Sequence, residues 1–128
     1  MSKKLQPVIR TSPRYADLNM NGNVFGGWVL SQMDIAGGIT AARAAKGTVA
    51  TVAIEGMKFI RPIHPGDLVS CYAEVEKIGT TSICVDIRVT AIRASERQAD
   101  NLREVQVTEG TFIFVALDDA GKPRPVKG

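Results

Sequence analysis

Between residues 19 and 38 the chain reads NMNGNVFGGWVLSQMDIAGG, and Asp34 is the one ionisable residue in that run. A carboxylate set among Trp, Val, Leu, Met and Ile has two readings. Solvated or hydrogen-bonded, it serves a subunit contact. Desolvated beside a pocket, it serves as a general base or a nucleophile. Gly26 and Gly27 stand about two turns earlier, where a helix would begin. Backbone N–H groups at that position are unpaired, point outward and lie at the positive end of the helix dipole, which suits the oxyanion of a carbonyl under attack. A carbonyl held by the Gly26 N–H could meet an Asp34 carboxylate reaching in from the facing side of a dimer.

Other familiar catalytic arrangements are missing. The sequence contains no G-x-S-x-G elbow, no HExxH and no P-loop lysine. Its single histidine, His64, lies between prolines in a turn and reads as an exposed loop residue. Cys71 and Cys84 are too few for a zinc site and read as reduced core residues, so neither metal nor redox chemistry is expected.

The elements that would position Asp34 follow from local composition. Residues 14–23, RYADLNMNGN, are a polar loop, with Asn23 as a candidate helix cap. From about Phe25 to Ala45 there is no proline and little polarity, so a helix apolar nearly all round, buried on most sides, is expected. At 100° per residue, Gly27, Leu30, Gly37, Gly38, Ala41 and Ala45 point near Asp34, a face of small residues open to another helix or to a ligand. Four strand-like stretches come next: Thr48 to Ile60, Leu68 to Ile78, Thr81 to Ile92 and Val105 to Leu117. They are separated by RPIHPGD at 61–67, a tight hairpin at Gly79 and the charged stretch 94–104, and a short first strand is expected at Leu5 to Thr11. Successive strands joined by turns imply an antiparallel sheet, and one long apolar helix ahead of them is buried only if the sheet wraps it. The fold class is α+β. One open sheet of this length leaves unpaired edges, which a dimer joining two sheets would resolve.

With 128 residues, 45% apolar and 23% charged, the chain has the composition of one soluble globular domain spanning residues 1–128. MSKKLQPVIR lacks the apolar run of a signal peptide, and no long uncharged apolar stretch exists, so a cytoplasmic protein without membrane insertion is expected. A net charge of +3 leans towards anionic partners, but the basic residues are scattered and aromatics make up 5%. A phosphate-bearing small molecule fits that balance, and nucleic acid is not expected.

The run from Asn19 to Gly37, with its N-x-x-G-[ND]-x-F-G-G-W and S-Q-M-D signatures, resembles the hotdog-fold acyl-CoA thioesterases, most closely the YciA-like group. TVAIEGMKF at 51–59, RPIHPGDLV at 61–69, GTTSI at 79–83 and TFIFVALDDAGKPRP at 111–125 extend the resemblance over almost the whole chain. It implies a long helix wrapped by a five- or six-stranded antiparallel sheet, dimers with active sites at the interface, and assembly into a trimer of dimers. It further implies hydrolysis of acyl-CoA to free acid and coenzyme A, with no cofactor beyond the coenzyme A of the substrate. By the same resemblance Asp34 is the catalytic base or nucleophile, Asn19 positions water or the thioester, and the Gly26 N–H polarises the carbonyl. A related branch carries His before this glycine; Phe25 stands there, so polarisation rests on the backbone. Gly27, Thr51 and Ser82 are candidate pocket contacts, and Lys58, Arg61 and Arg124 are candidate partners of the coenzyme A phosphates. The competing readings are an acyl-CoA-binding module or sensor on the same fold, a dehydratase or isomerase, which usually requires a His, and a glycine-rich helix that serves dimer packing alone.

Overall fold

The computed structural model describes residues 6–96 and 102–127. Strand β1 spans Ile9–Thr11, helix α1 Gly26–Ala45, β2 Val49–Phe59, β3 Leu68–Ile78, β4 Ser82–Ile92 and β5 Val105–Ala116, with 3₁₀ turns at Tyr15–Asp17 and Ala94–Glu96. The strands form one five-stranded antiparallel sheet in the order β1-β3-β4-β5-β2. The helix lies against β2, β3, β4 and β5. The expected elements are present, each long strand within a residue of its expected bounds. Leu5 and residues 97–101, parts of the expected first strand and charged stretch, lie outside the described residues.

The helix ends where its sequence stops supporting it. Lys46 turns into the left-handed region at φ 55°, and its N–H and that of Gly47 both return to Ala42 O. Arg124 reaches back from the C-terminal segment and donates to Ala45 O at 2.7 Å, placing a cation at the negative end of the dipole. Among the described residues no helix is long and apolar enough to cross a membrane.

Alternation along β4 and β5 builds the core. Ile83, Val85, Ile87 and Val89 face the helix from β4, and Val107, Phe112, Phe114 and Ala116 from β5. The Phe112 and Phe114 rings stack with centroids 6.4 Å apart. The helix meets this surface with Trp28, Val29, Met33, Ala36, Gly37, Ala41 and Ala45. A Cβ on Gly37 would stand 2.7 Å from Ile87 Cδ1 and 2.9 Å from Phe114 Cζ, so the glycine sets how closely helix and sheet approach. Cys71 lies inside this core, where burial pushes its thiol up to about 12.

Two expectations are corrected here. The helix is covered on one side only, and Ile35 and Ile39 remain 52% and 44% exposed in the single chain. Nor do Gly37, Ala41 and Ala45 form an open face with Asp34. They face the sheet while Asp34 stays exposed, because three residues turn a helix 60° short of a full circle and carry the chain across the edge of the buried face.

Candidate active site

Two segments reach the start of α1 and define its geometry. The loop before it folds on Asn19, whose Oδ1 accepts the N–H groups of Asn21 at 2.9 Å and Asn23 at 3.1 Å. The Asn19 N–H donates to Asn23 O at 2.6 Å, and Gly22 takes the left-handed conformation (φ 81°) that closes the turn. Leu18 and Val24 then pair as an isolated antiparallel bridge. The Phe25 N–H donates to Asp17 O at 3.1 Å and the Val24 N–H to Ile63 O at 3.0 Å. The helix start therefore hangs between the 3₁₀ turn on one side and the 61–67 turn on the other.

The cap position belongs to Phe25, which has no side-chain oxygen to offer. Asn23, expected as the cap, instead spends its N–H and carbonyl on Asn19, and this corrects the sequence reading. The Trp28 N–H turns back to Phe25 O at 3.1 Å. Gly26 and Gly27, both exposed, thus begin a helix without a capping side chain, which leaves their N–H groups available to a ligand.

Two clefts flank this start. One of about 390 Å³ is largely apolar, lined by Gly26, Val29, Phe59, Ile60, Ile63 and Thr108, with Arg61 at its edge. The other, of about 370 Å³, is polar, lined by Ser12, Arg14, Asp17, Gly27, Ser31 and Gln32. The Phe59 ring lies over Gly26, where a Cβ would touch it at 3.6 Å. Phe59 arrives there after a β-bulge between Glu55 and Lys58, at Gly56 with φ 62°. In the second cleft Asp17 is buried. The Arg14 side chain and N–H both hydrogen-bond its carboxylate and hold it below the usual carboxylate range.

Asp34 points from the exposed side of α1 towards β2. Thr51 donates its hydroxyl to Asp34 Oδ1 at 2.5 Å, and Oδ2 accepts no bond among the described residues. Thr51 itself is fixed by pairing with Phe114 on β5. One carboxylate oxygen is thus held by a neutral donor while the other accepts no bond among the described residues.

The remaining expected residues divide by location. Lys58 and Arg61 lie at the Gly26 end, Lys58 opposite Glu109 on β5 and Arg61 donating from Nη1 to Gln106 O at 2.6 Å. Ser82 and Arg124 lie elsewhere in the chain. Ser82 closes the β3–β4 hairpin by accepting the Gly79 N–H at its carbonyl. Arg124 gives its guanidinium N–H groups to the carbonyls of Ala45, Leu117 and Pro125. Sequence reasoning missed Asp17 and Phe59: an Asp in a polar loop and a Phe at a strand end carry no local signal of the helix start they meet.

Comparison with known proteins places this arrangement in a lineage. A family model described as the thioesterase superfamily matches residues 21–94. The acyl-CoA thioester hydrolase YciA of Salmonella typhimurium is 48% identical over 119 residues, which cover 93% of this chain and 88% of that protein. Its Escherichia coli counterpart is 45% identical over 117 residues, covering 91% and 87%. Among solved structures, the hexameric thioesterase y2039 from Yersinia pestis superposes with a TM-score of 0.86 at 43% identity, over 98% of both chains. The hexameric broad-specificity acyl-coenzyme A thioesterase HI0827, in an Asp-to-Ala mutant form, superposes with a TM-score of 0.88 at 39% identity, over 96% of this chain and 87% of that one. Sequence and fold agree, and this chain belongs to the thioesterase superfamily, in its hotdog-fold, YciA-like group.

Proposed function

We propose that this chain is an acyl-CoA thioesterase, hydrolysing acyl-CoA to a free acid and coenzyme A at sites shared between two subunits. The observation that carries the reading is the Thr51 hydroxyl on Asp34 Oδ1 at 2.5 Å, on the same helix that begins with the uncapped Gly26 and Gly27. Along one helix Asp34 lies about 12 Å from Gly26 at 1.5 Å per residue, too far for both to act on one carbonyl. The oxyanion donor and the carboxylate therefore come from different chains. The Gly26 N–H of one protomer polarises the thioester carbonyl, and Asp34 of the partner subunit acts at its carbon, as base on water or as nucleophile. The tetrahedral oxyanion rests on the backbone donor, and its collapse expels the thiolate of coenzyme A. A thioester is activated and its thiolate leaves readily, so this set is chemically sufficient without a metal or a cofactor other than the coenzyme A of the substrate.

Asn19 supports the donor by shaping the loop that leads to Gly26 and aids in placing water. Gly27 and Thr51 complete the pocket, and Lys58 and Arg61 hold coenzyme A phosphates at the Gly26 end. Ser82 and Arg124 meet the coenzyme only where another subunit brings its site to their end of the molecule. The acyl chain enters the apolar cleft beside Gly26.

The protein is a homo-oligomer in this reading. Edge strand β2 exposes Val52 and Ile54, and α1 exposes Ile35 and Ile39, an apolar margin suited to a continuous sheet across a dimer. The hexameric relatives support a trimer of such dimers.

The test is release of coenzyme A thiol from a panel of acyl-CoAs, wild type beside Asp34→Asn. Turnover by wild type and its loss in a folded, assembled variant is the expected result. Binding of acyl-CoA without turnover by either protein would replace this reading with a binding module. In the nucleophile route water must then open the Asp34–acyl anhydride to free the acid and restore the carboxylate. A single turnover in ¹⁸O-water that labels the Asp34 carboxylate marks that route with water attacking the Asp34 carbon.

A further inference from the structure

Among the described residues the most deeply buried carboxylate, Asp67, lies outside the site just described. Asp67 is 1% exposed and pairs with Arg93, whose Nη1 donates to Asp67 Oδ2 at 2.6 Å and to Pro62 O at 3.0 Å. The same Oδ2 accepts the His64 N–H at 2.8 Å. The Asp67 N–H donates to His64 O at 3.1 Å, and Asp67 O accepts the Ser12 hydroxyl at 2.6 Å. One ion pair thus ties together the end of β4, the segment after β1 and the whole 61–67 turn.

An ion pair of this depth is a poor way to gain stability, because desolvation consumes most of the attraction and apolar residues of similar volume serve as well. It does fix geometry, since a planar guanidinium bonded to a carboxylate and a carbonyl at once allows few arrangements. What it fixes is the carbonyl of Ile63, buried in the middle of the turn, which accepts the Val24 N–H at 3.0 Å. Val24 stands two residues before Gly26. Gly26 and Gly27 have no side chain to orient them, so the direction of their N–H groups depends on the two backbone bonds that precede them, at Val24 and Phe25.

We propose that the Asp67–Arg93 pair is a positioning device for the oxyanion donors, acting through Pro62, Ile63 and Val24 on the Gly26 and Gly27 amides. The catalytic consequence rests on the function proposed above, whereas the geometric consequence does not. Neither residue touches substrate in this scheme, so both are positioning residues. Misplacing a donor by about 1 Å costs catalysis roughly a hundredfold and leaves binding by the rest of the site largely intact.

The experiment compares wild type with Asp67→Asn, which keeps an acceptor for the His64 N–H but removes the charge, and with the milder Arg93→Lys, which keeps the charge but loses the planar guanidinium. Each is assayed over a range of acyl-CoA concentrations and by amide resonances in ¹⁵N-labelled protein, with thermal melting and oligomeric state measured alongside. The expected result is a kcat at least about tenfold lower with KM within about threefold, in protein that remains folded and assembled, and displaced amide resonances of Gly26 and Gly27. Wild-type kcat in folded variants, or losses that follow only the unfolded fraction, overturns the proposal. If the wild type itself turns over no acyl-CoA, the function proposed above fails, and the positioning is decided by the resonances alone. Unmoved Gly26 and Gly27 amides in both variants overturn it.

Discussion

Without Thr51, the Asp34 carboxylate would be free to rotate on an exposed helix face. The hydroxyl at 2.5 Å selects one rotamer and presents Oδ2 outward. Thr51→Val keeps the β-branched shape that suits an edge strand and removes only the donor. We expect kcat to fall about tenfold with an unchanged melting temperature, the cost of losing orientation but not the group itself. Asp34→Asn should fold and assemble while losing most of its activity, and wild-type-like turnover by that variant would remove Asp34 from the mechanism. Asp34 and the glycine pair could be identified from sequence, because an ionisable residue in an apolar run is conspicuous. The Thr51–Asp34 bond could not, since it joins two elements seventeen residues apart whose register is set by β5.

At the scale of elements, the contact of α1 with the sheet depends on a missing side chain. Gly37→Ala would put a methyl 2.7 Å from Ile87 Cδ1 and 2.9 Å from Phe114 Cζ. Overpacking of this kind costs about 1 to 3 kcal/mol, more than the gain in helix propensity returns, so denaturant unfolding should show a net loss. Strand β1 is only three residues long and is held to β3 by polar groups as well as by pairing. Arg10 Nε donates to Ser70 Oγ at 2.7 Å, and its Nη2 lies 3.7 Å from Glu104, which also accepts the hydroxyls of Tyr72 and Thr90 at 2.6 Å each. Partial burial pushes the Glu104 carboxyl up, but these hydroxyls and the Arg10 charge outweigh it and leave it below its ordinary value. A carboxyl lowered on folding contributes stability that is present above the unfolded value, about 4.3, and is lost as the pH falls through the folded one. Glu104→Gln should therefore flatten the acid limb of a stability–pH curve measured by denaturant titration, and an unchanged limb would count against this network.

The whole molecule is decided by what one chain leaves uncovered. Val52 on β2 is 58% exposed and Ile54 44%, and Ile35 and Ile39 continue the apolar margin on α1. A long edge strand with apolar side chains invites pairing with another copy. Ile54→Lys, which places a cation in that margin, should dissociate the proposed oligomer in sedimentation and abolish turnover with it, because donor and carboxylate come from two chains in the proposed scheme. An active monomer would refute the shared site. The expectation of a helix buried on most sides failed for one chain because its sheet covers one side of the helix and leaves Ile35 and Ile39 exposed.

The sequence by itself determined the elements and their class. Proline-free apolar residues from 26 to 45 form one helix, and alternating β-branched stretches broken by Gly and Pro form antiparallel strands. Both follow from local rules of period and turn chemistry that act over a few residues. It also offered the chemical candidates, Asp34 and the glycine pair by type and place, and Asn19 by the resemblance of its loop. Only the tertiary structure decided which of them meet. Thr51 bonds Asp34, Asn19 shapes a loop, Asn23 does not cap, and Arg124 closes the far end of the helix. Likewise Asp67 and Arg93, unremarkable in a turn and at a strand end, became an ion pair with its carboxylate buried. Such contacts depend on strand register and on how closely a helix settles onto a sheet, and both are fixed by the packing of the entire core.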